Sequence, residues 1–433
     1  MKIVLIAGFS NAEIREHLEF KKDRRWYHWL IRLFGLPARV GEMRDYAPWV
    51  PSIILEIERQ DDMELHVVGP QIRLKKSMET FQLRGVTYHF YRSEWTSLVR
   101  KLNRYKLWKL LQKSTSYVKQ VIDEVHPDLI VLSGAENPAT SIGILATDKY
   151  PRLCLCQTIY NNPERSQYYT PQRLAQDMET DIFCQLQYFG VYCKMHYDLL
   201  RYFRPDATIF KFGYPSKGRL LQPTNVKKEY DFVNFALMHG SRKGTPDSIH
   251  ALAIVKMKYT NVTLNIVGGC DPSGLEQLKT LVADLGLEEN VVFTAFFEKR
   301  SDLFLHIQKS RYAVLPCKLD HTSGTMNQAM QLELPLVVYK TTGTPTFNRK
   351  KECVLIAEKG NVEELAQHML TLMENPEKAE ILKRNAREFQ EKKVENSKKN
   401  GERLMANFRA IIGNYKNGTP IPREQLFNPD IDD

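Results

Sequence analysis

Thr322, Ser323, Gly324 and Thr325 form a run of small residues, with Asp320 just before it and Gln328 one helical turn beyond. This run lies between two apolar stretches, Tyr312–Leu315 closed by Pro316 and Leu334–Tyr339, which read as buried strands. The intervening pattern from Thr325 to Leu332 is helical. Hydroxyl side chains at a helix start cap its free N–H groups, and glycine lets a ligand approach the backbone closely. Those N–H groups, at the positive end of the helix dipole, favour an anion such as a phosphate. Asp320 and Gln328 would then flank the anion with one carboxylate and one amide.

The layout Leu315-Pro316, Asp320, seven residues, Gln328-Ala329-Met330 and Leu334-Pro335-Leu336-Val337-Val338 resembles the donor signature of the retaining family 4 (group 1) glycosyltransferases. In that family both spaced positions are Glu, so this signature is degenerate at both. The resemblance implies an α/β, GT-B architecture of two Rossmann-like, doubly wound domains facing a central cleft. It implies that Asp320 meets donor-sugar hydroxyls and that Gln328 meets the ribose diol, without a charge. The loop Met238-His239-Gly240-Ser241-Arg242-Lys243-Gly244 matches the family's diphosphate loop at Lys243-Gly244, with Met238 where the family has Arg. Catalytic roles therefore fall to Lys243 and Asp320. Donor binding falls to Gly240, Arg242, Lys243, Thr322, Ser323, Gly324, Thr325 and Gln328. Catalysis of this kind stabilises a nucleoside diphosphate leaving group by cations and dipoles, and no metal and no cofactor is expected beyond the nucleotide-sugar substrate.

Acceptor-side or cleft residues are Gly8 and Ser10, in the loop after the first apolar run, together with Gln157 and Gly343. Ligands collect at the carboxyl ends of strands in doubly wound sheets. Gln157 stands where many family members carry His, and Gly343 lies in Thr341–Thr346 after a long strand. Phe293–Phe297 falls where the family packs the nucleotide base, although its aromatic residues also suit a core.

The elements that must position these groups alternate between strand and helix, most cleanly after Asp231, as in a parallel sheet covered on both faces. The expected division is an acceptor domain over 1–215 and a donor domain over 224–395. A helix over 396–416 would cross back to the first domain, leaving a loose tail over 417–433. A chain of 433 residues suits two domains.

The net charge of +10 asks for an anionic partner. Two basic, aromatic-rich segments, 20–36 and 95–113, read either as interfacial helices on an anionic membrane or as solvated surface helices. No run suits a membrane span, and the start reads as a strand rather than a signal peptide. The chain is therefore expected in the cytoplasm, peripheral to the inner membrane face where those helices bind lipid. The seven scattered cysteines suggest no disulfide framework, and Cys154 with Cys156 read as reduced core residues. No nucleic-acid motif accompanies the basic residues. The resemblance implies transfer of a sugar to a glycan or lipid-linked glycan in bacterial surface polysaccharide synthesis, capsule or lipopolysaccharide. The rivals are a non-catalytic accessory module that binds a glycan or partner enzyme, and a different GT-B enzyme such as a sugar-nucleotide epimerase.

Overall fold

Runs such as Ile3–Ile6 and Leu129–Leu132 are apolar at every position, which suits strands covered on both faces. The computed structural model describes residues 1–21, 45–47, 49–71, 73–93, 112–169, 172–215, 220–319 and 323–431. The basic segments 20–36 and 95–113 fall almost wholly outside the described residues, as do Asp320 and Thr322. The chain divides into two units. One comprises 1–166, 170–217 and 397–433, and the other comprises 167–169 and 218–396.

The first unit holds β1 (Lys2–Ile6), β2 (Glu64–Gln71), β3 (Met78–Leu83), β4 (Val86–Arg92), β5 (Leu129–Ser133), β6 (Arg152–Leu155), β7 (Tyr188–Val191) and β8 (Thr208–Lys211). They form one sheet in the order β3-β4-β2-β1-β5-β6-β7-β8. All pairs are parallel except β3 with β4. That antiparallel edge hairpin turns through Arg84 and Gly85, both at positive φ (52° and 79°), as a two-residue hairpin turn requires. The helices are α1 (Ala12–Glu16), α2 (Val50–Glu58), α3 (Gln112–Val125), α4 (Pro138–Ser141), α5 (Arg173–Gln185) and α6 (Lys194–Phe203).

The second unit holds β9 (Tyr230–Met238), β10 (Leu264–Gly269), β11 (Val291–Thr294), β12 (Ser310–Leu315), β13 (Leu336–Tyr339) and β14 (Leu355–Ala357). All are parallel, in the order β11-β10-β9-β12-β13-β14. The order reverses direction at β9 and β12, a switch point where the loops after the two strands part and a ligand crevice forms. Its helices are α7 (Thr245–Lys256), α8 (Pro272–Asp284), α9 (Arg300–Ile307), α10 (Gly324–Gln331), α11 (Val362–Glu374) and α12 (Pro376–Lys398).

Residues from α13 (Asn400–Asn417) onward complete the first unit. Leu404, Met405, Phe408 and Ile411 of α13 join one of its apolar clusters. The segment after α13 is not loose where it meets the sheet. Leu426 bridges to Phe210, the Phe427 N–H donates to the Ile209 carbonyl (2.9 Å), and the Phe427 side chain is buried. This closes the outer edge of β8, whose unpaired N–H and C=O groups would otherwise be exposed. Phe427→Ala should cost about 3–5 kcal/mol, the usual range for emptying a buried Phe site. Urea unfolding followed by far-UV circular dichroism would show this as a lower midpoint for the phase that reports the first domain.

Candidate functional site

The second unit's candidate site grows from two loops at the switch point. After β9 the chain runs through Gly240 at φ 150° and a 3-10 turn, Ser241–Lys243, to Gly244 in the left-handed region at φ 67°. A Cβ on Gly244 would stand 2.1 Å from the Pro316 carbonyl oxygen, so only glycine lets α7 start this close to the end of β12. The Arg242 carbonyl accepts the Lys318 N–H at 3.0 Å, and Lys243 Nζ lies 3.7 Å from Cys317 Sγ.

Asp247, in the first turn of α7, ties the two loops together. Its carboxylate accepts from Lys318 Nζ (2.8 Å) and from the Tyr339 hydroxyl (2.8 Å), and it is buried. Burial and the neighbouring carboxylate push the Tyr339 phenol far above its ordinary range, so it acts as a donor.

Beyond this clasp, Ser323 caps α10 by accepting from the Met326 N–H at 3.2 Å, and its hydroxyl lies 2.8 Å from that of Thr325. Gly324 opens the helix, and a Cβ there, as at Gly240, would meet nothing within 4 Å. Both glycines therefore leave space beside polar backbone. Gln328 is half-buried one turn on. α10 is braced from behind, where Asn327 Oδ1 accepts from Gln390 Nε2 (2.9 Å) and Lys393 Nζ (2.8 Å).

Beside the loop after β9 lies a cavity of about 240 Å³ lined in part by His239, Gly268, Cys270, Phe293, Thr294 and Ala295. His239 Nε2 faces the Val267 carbonyl (2.9 Å), which can only accept, so that nitrogen carries the proton and Nδ1 accepts from Thr245 (2.9 Å). Burial holds the His239 pKa below its usual value, keeping the ring neutral. Of the aromatic run 293–297, Phe293 lines this cavity while Phe296 is 56% exposed. The run is therefore not simply core.

The first unit gathers polar groups at the carboxyl ends of β1, β5, β6 and β8. With its amide oriented to satisfy both ends, Gln157 accepts from the Tyr214 hydroxyl (2.5 Å) and the Trp49 indole and donates to Glu136 Oε1 (2.9 Å). The Tyr192 hydroxyl donates to the Gln157 carbonyl at 2.8 Å. The following turn is held by Glu179, wholly buried, which accepts from the N–H groups of Tyr160 (2.9 Å) and Asn161 (2.8 Å). Gly8 lies against Thr140, whose Oγ1 would be 2.7 Å from a Cβ at position 8. Ser10 accepts from Arg15 Nη1 at 3.0 Å.

Gly240, Arg242 and Lys243 lie on the loop after β9, and Ser323, Gly324, Thr325 and Gln328 lie at the start of α10, both in the second unit, while Gly8 and Gln157 lie at strand ends of the first. Gly343 does not present a free surface. It is buried in a turn whose Thr341 and Thr344 hydroxyls bond to backbone within 339–344, because a short strand exit must satisfy its own polar groups. The sequence reading gave no role to Asp247, Glu136 or Glu179. Glu179 had a readable signal, since it shares the buried helical stripe of Leu174, Ala175, Met178 and Ile182.

Two Rossmann-like units built on mainly parallel sheets define the GT-B fold of the glycosyltransferases. The comparisons agree. Residues 219–389 match the family model for glycosyl transferases group 1. Among solved structures, sucrose-phosphate synthase from Thermosynechococcus elongatus superposes with a TM-score of 0.64 at 15% identity, over 94% of this chain and 98% of that one. Anabaena HepE in complex with UDP and glucose gives 0.59 at 14% identity, over 94% and 100%. The lipopolysaccharide outer core galactosyltransferase WaaB gives 0.57 at 12% identity, again over 94% and 100%. No curated protein matches the chain in sequence. No described helix is long and apolar enough to cross a membrane.

The electrostatics of the first unit give a pH signature. Burial raises the Glu136 pKa to about 8 and that of Glu179 to about 7, from 4.5. Both are raised, so the folded state holds protons that the unfolded chain releases. The stability this confers is complete below about pH 4.5 and is lost as pH rises through 7 and 8. The urea midpoint of the first domain should fall between pH 5.5 and 8.5 (a range set by those two shifts), and Glu136→Gln should flatten the upper part of that fall.

Proposed function

We propose that the protein is a glycosyltransferase moving a sugar from a nucleotide-sugar donor to a glycan or lipid-linked glycan, with retention at the anomeric carbon and without a metal. The observation that carries this is the Gly240–Gly244 loop held against the residues that follow β12, with Asp247 clasping Lys318 and Tyr339, and the Ser323-capped start of α10 in the same unit. Lys243 and the free N–H groups of α10 meet the diphosphate, Gln328 the ribose diol, and Asp320 the donor sugar. The cavity beside His239 and Phe293 takes the base, with UDP the first candidate because HepE was solved with UDP. In the transfer, the bond between the anomeric carbon and the phosphate oxygen breaks as the acceptor oxygen bonds to that carbon. The acceptor proton passes to the departing phosphate. Lys243 and the helix start stabilise the charge that develops there.

On the acceptor side, Gly8, Ser10 and Gln157 belong to the first domain. A role in surface polysaccharide assembly follows from the resemblance in the donor signature and accords with the printed activity of WaaB, a lipopolysaccharide outer core galactosyltransferase. The basic, aromatic-rich sequences 20–36 and 95–113 are the segments suited to an anionic membrane surface. Met238, which is 48% exposed where the family has a diphosphate Arg, favours the second reading, an accessory module with a weakened donor site.

A thermal-shift titration with UDP, GDP, CDP and ADP separates these readings. A nucleotide at ten times its dissociation constant adds about 1.4 kcal/mol of stability and raises the melting temperature by a few degrees. Lys243→Ala should weaken that binding about 10- to 100-fold, the worth of one charge-assisted contact. Absence of any shift would favour the accessory module.

A further inference from the structure

α12 grips α10 through side chains spaced three apart, Arg387, Gln390 and Lys393. Arg387 Nη1 donates to the Gln331 carbonyl (2.7 Å) at the last turn of α10, where a cation also suits the negative end of the helix dipole. Gln331 Oε1 accepts the Leu221 N–H (3.1 Å), which turns its Nε2 toward Gln390 Oε1 (3.3 Å). Gln390 is 1% exposed, and its own Nε2 is thereby left to donate to Asn327 Oδ1 at 2.9 Å. Lys393 Nζ donates to the same oxygen at 2.8 Å. Neither group can accept from Asn327 instead, because an ammonium has no acceptor and the Gln390 oxygen is engaged by Gln331. The Asn327 amide therefore has one orientation, and in it Nδ2 donates to the Ser323 carbonyl at 2.9 Å.

That bond reaches the residue on which the helix starts. Ser323 is the N-cap of α10, its hydroxyl accepting from the Met326 N–H. Its carbonyl receives the first ladder bond, from the Asn327 N–H, at 3.3 Å. The side-chain bond is the shorter of the two, so the first turn is pinned by Asn327 more than by the helix's own ladder. Terminal turns fray unless something outside the ladder ties them. Here the tie runs from α12 through a neutral amide to the cap.

We propose that Asn327, oriented by Gln390 and Lys393, is a positioning residue that fixes the Ser323 carbonyl and so presets the first turn of α10 for a nucleotide's phosphates. This rests on the transferase reading above, in which that turn meets the diphosphate. Asn327 acts through Ser323 and touches no substrate in this role. Donors already aimed at a developing charge need no rearrangement when it forms, whereas a frayed turn has to be ordered each time a ligand binds. Lys393 also brings a positive charge, so the neutral Asn327 is the position at which geometry can be separated from charge.

The test measures binding of UDP, inorganic pyrophosphate and uridine to the full chain by ligand-observed NMR, with amide hydrogen exchange as a readout that needs no ligand. Asn327→Leu changes no charge and little volume, and it should weaken UDP and pyrophosphate about tenfold, the worth of one such hydrogen bond, with uridine unchanged. Amides of the first turn of α10 should exchange about tenfold faster in this variant, while those of the last turn, still held by Arg387, keep their rate. Lys393→Met should lose part of the same phosphate binding, and Lys393→Arg, which keeps a donor that cannot accept, should recover it. If Asn327→Leu binds UDP and pyrophosphate as the wild type does, or loses uridine as strongly as UDP, or leaves exchange in the first turn unchanged, this inference is overturned and the transferase reading stands. If neither UDP nor pyrophosphate binds the wild type, the transferase reading fails and this role fails with it.

Discussion

The second domain depends on one buried carboxylate. Asp247 receives Lys318 from the loop after β12 and Tyr339 from the end of β13, and it sits on the helix that follows the Gly240–Gly244 loop. Three segments distant in sequence are thereby held to a common edge. Lys318 is 20% exposed at its side chain, so loss of its partner would leave an ammonium poorly solvated and two loops untied. The close approach of Gly244 to Pro316, which a side chain at 244 would prevent, lies beside the same clasp.

The two domains treat buried acids in opposite ways. Asp247 is matched by a cation and a phenol, so its carboxylate oxygens are held by partners from two other segments. Glu136 is held by the Gln157 amide and has no cation bonded to it, so burial raises its pKa to about 8. A paired charge fixes geometry.

The fold of the second domain was legible because local signals agreed. Apolar runs marked β9, β12 and β13, Pro246 and Gly244 marked the start of α7, and Ser323 marked that of α10. What could not be read was chemistry set by contact across the fold. Nothing local distinguishes Asp247 from an ordinary first-turn acid, and its role follows from where Tyr339 and Lys318 arrive. Gly343 resembled a ligand loop in composition, but its threonines were needed to close their own turn. The buried segment near Phe427 was hidden by polar neighbours, because one aromatic ring and two backbone contacts suffice to seal a sheet edge.

That last segment bears on how the chain matures. A ribosome delivers 218–396 as an uninterrupted stretch, so the second domain can close as soon as it emerges. The first domain cannot finish at that moment, although most of its strands were made earlier. The apolar surface awaiting Phe408 and the edge of β8 awaiting Leu426 stay uncovered until translation passes both. The earlier-made domain is thus the later to be completed.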